Sequence, residues 1–349
     1  MKNIILALAL CGLFFSCDTI YKNDPQPSEI HTLVLNNGSW GKNDSNISSY
    51  DPSSKSVTAD VFKNANGQKL GDLGQDILVH GNEIYIAING SKTIFVTDLS
   101  LKIKSQVNAT HDGSPLSPRA FAAAGDKVYV TYYEGFVGEI IPDNYSVRLT
   151  AVGDNPDGIA VAGSNLYIAN SGGMLYPDYG TTLSVVSISD FVQTSTITVH
   201  DNPTILCASA DGAYVYLMSY GNYADKPAKL QVIHTADNSV SDLDYASPSD
   251  IAKGADNNLY ILCGGYDENR NPLPGRVYKH DMTTNTKVGE FVSDNTTMPN
   301  AYSISVARDG YIYVGCSDYV STGDVYVFNS EGKLHDTFDC MGMNPIVVH

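Results

Sequence analysis

The stretch at 156–170, PDGIAVAGSNLYIAN, contains the pattern that decides the fold of this chain. A proline opens an apolar strand rich in small residues, a Gly-Ser-Asn turn follows, and a second strand is centred on Tyr167. Short apolar runs separated by glycine and asparagine are typical of β-hairpins. The stretch therefore predicts two neighbouring strands of an antiparallel sheet.

The same unit recurs along the chain. Second strands with a central tyrosine lie at 83–87, 127–131, 165–169, 214–218, 258–262 and 311–315. First strands precede them at 75–81, 118–125, 156–163, 203–212, 248–257 and 299–310, and third strands follow at 93–98, 183–188, 230–235, 276–281 and 324–329. The central tyrosines are 38 to 53 residues apart, which is typical of the four-stranded blades of a β-propeller. We expect these tyrosines to pack between blades.

Two further strands at the ends of the chain lack partners. HTLVLNNG (31–38) has the features of a second strand, and NPIVVH (344–349) has those of a first strand. Together they complete a seventh blade, and closure of the ring leaves no open sheet edge. The prediction is an all-β, seven-bladed β-propeller over residues 31–349, closed by N- and C-terminal strands that share one blade. A six-bladed ring with a stray terminal strand is the alternative.

The first residues predict export and a lipid anchor. Lys2 precedes an apolar run at 4–15 that is too short to span a bilayer but fits a secretory signal. The run ends in Phe-Phe-Ser-Cys, and a small residue before Cys17 is what lipoprotein processing requires. We expect a signal peptide at 1–16, lipidation of Cys17 and a flexible tether over 17–30, with the propeller on the outer membrane facing the cell exterior. An ordinary secretory signal is the alternative.

Composition argues against several classes of function. The chain has 38 acidic and 21 basic residues and no basic cluster, which argues against a nucleic-acid partner. Four cysteines at 207, 263, 316 and 340 form no C-x-x-C pair, so we expect buried thiols. Asp267, Asn269 and Asn271 are spaced like calcium ligands, but Pro272 replaces the required glycine. No catalytic motif is present, so we expect a protein that is not an enzyme, without a metal or cofactor.

One face of the predicted propeller carries the candidate binding site. In each blade, the loop into the first strand and the loop after the second strand lie on the same face. The loops after the second strands are long and aromatic. The candidate ligand-binding residues on this face are Trp40, Arg119, Tyr132, Tyr133, Asp157, Tyr176, Tyr179, Tyr220, Tyr223, Tyr266 and Tyr319. Phe136 is also expected in a loop there.

The predicted face favours a large, partly flat organic ligand. Tyrosine and tryptophan provide broad contact area at low entropic cost, with a polar group at the tip. Arg119 either binds an anionic or amide-bearing ligand group or pairs with a neighbouring aspartate. A glycan is a competing ligand, since aromatic rings also stack on sugars.

Short motifs give a resemblance to known propellers. YVTY at 129–132 and YIAN at 167–170 resemble the YVTN signature of the YncE-like propellers, over nearly all of 31–349. LVLNNGSWGKNDSNISSYD at 33–51 is similar to a narrower branch, the cobalamin-capturing surface lipoproteins of the BtuG type. The resemblance implies that cobalamin or a related corrinoid is held on the long-loop face. It also implies transfer to a TonB-dependent outer-membrane transporter.

Three other functions remain open from the sequence. The chain is alternatively a glycan-binding propeller of a polysaccharide-uptake system, a propeller lyase or lactonase, or a structural surface-layer protein with no small ligand.

Overall fold

The computed structural model describes residues 32–266, 272–308 and 310–348. Its elements in chain order are β1 (Thr32–Asn36), β2 (Asn46–Asp51), β3 (Ser56–Thr58), α1 (Val61–Asn66), β4 (Gly74–His80), β5 (Glu83–Ile88), β6 (Thr93–Thr97), β7 (Ile103–Val107), β8 (Thr110–His111), β9 (Ser114–Pro115), β10 (Pro118–Ala124), β11 (Lys127–Tyr132), β12 (Phe136–Ile140), β13 (Val147–Ala151), β14 (Pro156–Ala162) and β15 (Asn165–Asn170). They continue with β16 (Thr182–Ser187), β17 (Val192–Thr198), β18 (Pro203–Ala208), β19 (Tyr214–Ser219), β20 (Lys229–His234), β21 (Ser239–Leu243), β22 (Pro248–Lys253), β23 (Asn258–Tyr266), β24 (Pro272–Asp281), β25 (Thr286–Glu290), β26 (Ala301–Val306), β27 (Ile312–Cys316), β28 (Asp324–Phe328), β29 (Leu334–Asp339) and β30 (Pro345–Val348).

Seven four-stranded antiparallel sheets form the body. Blades 1 to 6 are β4–β7, β10–β13, β14–β17, β18–β21, β22–β25 and β26–β29, and blade 7 has the order β30-β1-β2-β3. The small hairpin β8–β9 connects blades 1 and 2. Within this description α1 is the sole helix, and no helix is long and apolar enough to cross a membrane.

The innermost strands close into a ring. Each first strand contacts the first strand of the next blade, and β30 contacts both β26 and β4. In blade 7, β30 pairs antiparallel with β1, so that Val34 lies opposite Val348 and Leu35 opposite Val347. The prediction of seven blades closed by strands from both chain ends is therefore confirmed, and the six-bladed alternative is wrong.

The strand tyrosines pack as predicted. Each lies opposite a small or apolar residue of the first strand, as Tyr129 does with Ala122 and Tyr167 with Ala160. The rings of Tyr129, Tyr167, Tyr216 and Tyr313 are at most 1% exposed. A small first-strand residue leaves room for the ring, and burial of an aromatic side chain contributes strongly to stability. The repeated Tyr is thus part of the packing between blades.

Two elements differ from expectation. The chain between β3 and β4 forms α1, which buries Phe62 against Phe95 with ring centroids 5.0 Å apart. A helix of six residues is too short to show a helical periodicity in the sequence.

Phe136 was expected in a loop but begins β12, because Tyr133–Gly135 suffices to connect β11 to β12. Gly138 and the buried Glu139 interrupt the apolar pattern of β12 and conceal this strand in the sequence.

Candidate functional site

Backbone hydrogen bonds tie the two kinds of loop together on one face. In six blades the first amide after the second strand, and in blade 5 the amide of Gly264 within β23, donates to the carbonyl of the residue that precedes a first strand. The seven bonds are Asn89→Leu73, Tyr133→Ser117, Ser171→Asn155, Tyr220→Asn202, Gly264→Ser247, Ser317→Asn300 and Asn37→Asn344, at 2.8 to 3.2 Å. Six of the seven accepting residues, all but Ser117, have a positive φ of 45 to 57°. Asparagine tolerates that left-handed conformation, which explains the Asn-Pro sequences before β14, β18 and β30.

One side chain from each blade lies at the mouth of the axial channel on this face. The register of the first and second strands aligns the opening residues of the first strands, such as Pro118 opposite Tyr132 and Pro203 opposite Ser219. The next residue in each strand is half-buried. These seven residues are Gln75, Arg119, Asp157, Thr204, Ser249, Tyr302 and Ile346.

Arg119 and Asp157 form an ion pair at this mouth. The Arg119 Nε and Nη2 groups donate to the two carboxylate oxygens of Asp157 at 3.0 and 2.7 Å, which is the strong bidentate geometry. The side chains are 20% and 14% exposed. The guanidinium carbon lies 5.0 Å from the centre of the Tyr133 ring. Of the two sequence alternatives for Arg119, pairing with an aspartate is the one observed.

Tyrosines from blades 3 and 4 form a continuous aromatic wall beside this pair. Tyr176 contacts Tyr179, Tyr179 contacts Tyr223, and Tyr223 stacks on Tyr220, with ring centroids 6.0, 6.0 and 6.4 Å apart. Tyr176 and Tyr223 are 73% and 71% exposed, whereas burial raises the pKa of Tyr220 well above its usual range. The wall therefore has a solvent-facing upper edge and a half-buried base, which suits the binding of a flat molecule.

A second tyrosine pair comes from blade 6. Tyr302 and Tyr319 contact each other edge to face at 5.6 Å. Burial raises the pKa of Tyr302 to about 12, with Tyr319 and Asp250 adding to the effect and Arg119 opposing it. Tyr302 was absent from the predicted set. Its position in the repeat, which is that of Arg119 and Asp157, is the sequence signal that would have identified it.

Two half-buried carboxyl groups lie on the inner strands. Asp250 accepts the amides of Ile251 and Ile304 at 2.7 and 2.8 Å, which links blades 5 and 6. Asp76 links blade 1 to blade 2 in the same way through Phe121 at 2.7 Å. Burial raises the pKa of Asp250 to about 7 and that of Asp76 to about 6. Loss of hydration disfavours the charged form of a carboxyl group.

Two predicted site residues do not join these tyrosines. Tyr132 is 1% exposed in the core between blades 1 and 2, and its hydroxyl has no hydrogen-bond partner among the described residues. Trp40 is 76% exposed on the loop of blade 7, which is held by the Gly41 amide bonded to Asp72 at 3.0 Å. Within the described ranges Trp40 makes no ring contact with the tyrosines above. Because Tyr132 is buried in the core, its side chain does not reach the exposed face.

Other predictions fall on residues outside the description. Tyr266 is the last residue of β23, and its side chain is outside the described part of the structure. Cys17 with residues 1–30, and Asp267, Asn269 and Asn271, are also outside it. Among the residues that are described, no group of three His, Cys, Asp or Glu side chains is placed to hold a metal ion.

A separate cleft beside α1 is a weaker candidate. It has a volume of about 220 Å³ and is lined by residues that include Asp44, Phe62 and Lys69. Its lysines have local partners: Lys63 lies 3.8 Å from Asp60, and Lys69 donates to the Asn43 carbonyl at 3.2 Å. The channel mouth combines more aromatic surface with half-buried polar groups, so we assign the candidate site there.

Comparisons with known proteins support the fold. No protein-family model and no curated protein matches the chain. A putative 6-phosphogluconolactonase from Bacteroides fragilis has a similar structure at 13% identity, covering 93% of this chain and 99% of that one, with a TM-score of 0.63. The dihydro-heme d1 dehydrogenase NirN matches at 12% identity over 92% and 75%, with a TM-score of 0.57. Hydrazine synthase from Kuenenia stuttgartiensis matches at 17% identity over 72% and 74%, also at 0.57. Identities this low show the propeller fold alone.

Proposed function

We propose that this chain is a non-enzymatic binding protein whose loop face holds cobalamin or a related corrinoid. The observation that carries the proposal is the channel mouth, where the Arg119–Asp157 pair is surrounded by tyrosines of blades 2, 3, 4 and 6. A corrinoid is a broad ring system edged with amide groups. Aromatic walls provide contact area for the ring, and the Nη1 group of Arg119, which has no acceptor among the described residues, can donate to an amide oxygen.

The proposal includes a place in the cell. The signal at 1–16 and a lipidated Cys17 would anchor the chain in the outer membrane, with the tether 17–30 holding the propeller at the cell exterior. A TonB-dependent transporter in the same membrane would receive the ligand. The sequence resemblance at 33–51 to the cobalamin-capturing lipoproteins supports this arrangement.

The test is a titration of the unlipidated mature chain (residues 17–349, with Cys17→Ser) with cyanocobalamin. Heat and the fluorescence of Trp40, the single tryptophan, are followed together. We expect a one-to-one complex. Truncation of Trp40 and Tyr133 together to alanine should weaken it more than about tenfold, because aromatic residues dominate such interfaces. Tyr214→Ala, on the opposite face at the start of β19, is the matched control and should leave the affinity unchanged.

Glycan binding is the second candidate, and the exposed rings favour it. Trp40 and Tyr223 are 76% and 71% exposed, so their faces are open to stack on a sugar. The absence of heat and quenching at tens of micromolar cyanocobalamin would exclude binding stronger than about −6 kcal/mol. If that result came with retention of the chain on a polysaccharide gel, the glycan function would replace the corrinoid function.

A further inference from the structure

A groove on the side of the propeller lies between the outer strands of blades 1 and 2. One wall is β7 with the chain that follows it to Thr110, and the other is the β12–β13 turn with the start of β13. The groove has a volume of about 320 Å³, which is near the lower end of the range for small-molecule sites. Because β7 and β13 are the outermost strands of their blades, the groove opens on the outer wall of the ring. It is therefore separate from the mouth of the axial channel.

The groove is lined by uncharged polar groups that make no hydrogen bond to the rest of the described chain. They are the side chains of Ser105, Gln106, Asn108, Thr110 and Ser146 and the side-chain nitrogen of Asn144. Hydroxyl and amide side chains both donate and accept hydrogen bonds. No charged residue lines the groove, although the chain has 38 acidic and 21 basic residues. The groove therefore favours a neutral ligand that carries both donors and acceptors.

Tyr145 provides an aromatic surface in the groove and is fixed in place. With Val147 and Leu149 it packs, half-buried, on the core between blades 1 and 2. Its hydroxyl donates to Glu83 Oε1 of blade 1 at 2.5 Å, and its amide donates to the Ile141 carbonyl at 2.8 Å. Its φ of 55° is a left-handed conformation that costs energy for a residue other than glycine. Because the ring is only half-buried and already ordered, it offers a contact surface at little entropic cost.

The open edge of β7 is protected against the addition of another β-strand. Val96 of β6 lies opposite Ser105. The next residue, Thr97, lies opposite Ile103, which leaves Lys104 as an extra residue in a β-bulge. A bulge and a lysine are two features by which edge strands avoid pairing with another chain. An extended peptide is therefore disfavoured as the occupant of the groove.

We propose that this groove binds a short segment of a neutral oligosaccharide. A sugar ring has hydroxyl groups that both donate and accept hydrogen bonds, and a C–H face that packs on an aromatic ring. The polar side chains of the two walls match its hydroxyl groups, and Tyr145 matches its apolar face. The inference goes beyond the proposed function, because the groove lies on the side of the ring and does not depend on the ligand of the loop face.

The test measures sugar binding to the unlipidated mature chain by saturation-transfer NMR. The neutral probes are the trisaccharides cellotriose, maltotriose, mannotriose and xylotriose, and trigalacturonic acid is the charged probe. We expect at least one neutral probe to bind in about the millimolar range. Trigalacturonic acid should bind at least about tenfold more weakly, because no cation lines the groove to offset the desolvation of its carboxylates.

Two double variants locate the site. Gln106→Ala with Asn108→Ala removes two exposed amides that have no partner, so binding should weaken about tenfold while the melting temperature stays unchanged. Gln193→Ala with Thr198→Ala removes exposed polar groups from β17, the outer strand of blade 3, and is the matched control. The control should keep the wild-type affinity.

A loop-face variant separates the groove from the channel mouth. Trp40→Ala with Tyr223→Ala should keep the sugar affinity of the wild type. Loss of sugar binding in this variant, or unchanged binding in the Gln106→Ala, Asn108→Ala variant, would overturn the groove as the site. So would the failure of all neutral probes to bind, and binding of a peptide of alternating threonine and valine in their place would indicate strand addition to β7. Sugar binding of the expected pattern without cyanocobalamin binding would refute the proposed function alone.

Discussion

Glu139 is an acidic side chain in the interior of blade 2. It is 2% exposed, and its Oε1 lies 2.5 Å from Lys127 Nζ, while Arg148 Nε is 3.8 Å from Oε2. Lys127 and Arg148 are 38% and 51% exposed, so the carboxylate is the desolvated partner. A buried charge that loses its partner is strongly unfavourable, because no water replaces the lost interaction.

Lys127→Met should therefore lower the free energy of unfolding by about 1–3 kcal/mol, measured by urea denaturation. Lys229→Met is the matched control. Lys229 Nζ lies at the same 2.5 Å from Asp242, but that carboxylate is 51% exposed, and we expect a loss below about 1 kcal/mol. Equal losses in the two variants would show that burial of Glu139 does not govern its pair.

Asp250 gives the propeller a pH-dependent stability. Burial raises its pKa in the folded chain to about 7, above the usual value of an exposed aspartate. The folded chain therefore holds this proton more tightly than the unfolded chain does. The stabilisation is fully present below the unfolded pKa and is lost as the pH rises through the folded value. We expect the free energy of unfolding to fall by roughly 2–3 kcal/mol between pH 5 and pH 8 from this group.

The comparison with Asp250→Asn isolates that contribution. The groups near Asp250 are Tyr220, Tyr302 and Cys207, and burial raises the pKa of all three. His280, whose pKa is lowered by burial, gives the opposite slope at mildly acidic pH in both proteins. The difference in urea midpoint between wild type and variant should thus change steadily from pH 5 to pH 8. A constant difference would mean that Asp250 is ionised throughout.

Strands were easier to predict from this sequence than loops. The second strands have a tyrosine between apolar neighbours, and the repeat of that pattern depends on local chemistry alone. The third strand of blade 2 was not recognised because Gly138 and Glu139 interrupt its alternation of apolar and polar residues. Glycine is required at 138, since a β-carbon there would lie 2.7 Å from the Tyr132 ring. That contact depends on tertiary packing, which periodicity does not describe.

The candidate site was predictable only in part. The face followed from strand order, but whether Arg119 meets Asp157 depends on how two neighbouring blades approach each other. The burial of Tyr132 depends on a turn only three residues long, Tyr133–Gly135. Tyr302 was missed because a tyrosine near the start of a strand has the same local pattern as a packing residue. All three features depend on how neighbouring blades and loops approach one another, which the pattern of residues along the sequence does not indicate.

The loop that carries Tyr220 and Tyr223 depends on one glycine. Gly221 has φ 67°, and a β-carbon there would lie 2.0 Å from the Lys226 carbonyl oxygen. Gly221→Ala should cost about 3 kcal/mol or more and speed hydrogen exchange of amides 220–226, because strain and a backbone clash act together. Gly163→Ala is the control, with φ 58° but open space around the added carbon, and should cost only about 1 kcal/mol. Unchanged exchange in Gly221→Ala would show that the loop does not need the glycine.

At the scale of the whole molecule, β30 closes the ring. It pairs with β1 inside blade 7 and contacts the inner strands β26 and β4 of the adjoining blades. Ser303 Oγ donates to the Pro345 carbonyl at 2.6 Å, and the Asn37 amide donates to Asn344 at 3.0 Å. Each of these interactions joins residues about 40 to 300 positions apart in the chain. Closure is therefore a cooperative property that no single blade contains.

Removal of residues 345–349 should lower the melting temperature by roughly 10 °C or more, measured by circular dichroism, because β1 and the two inner strands β4 and β26 then lose a neighbour. A circular permutant tests whether the stability depends on β30 closing the ring or on the order in which the chain connects the blades. A short linker from residue 349 to residue 32 fits the antiparallel β30–β1 pair, and new termini at the exposed Asp112–Gly113 turn interrupt only the β8–β9 hairpin. The permutant keeps every blade and should melt within a few degrees of wild type. If the truncated chain melted at the wild-type temperature, the strand shared between the chain ends would not be what holds the ring closed.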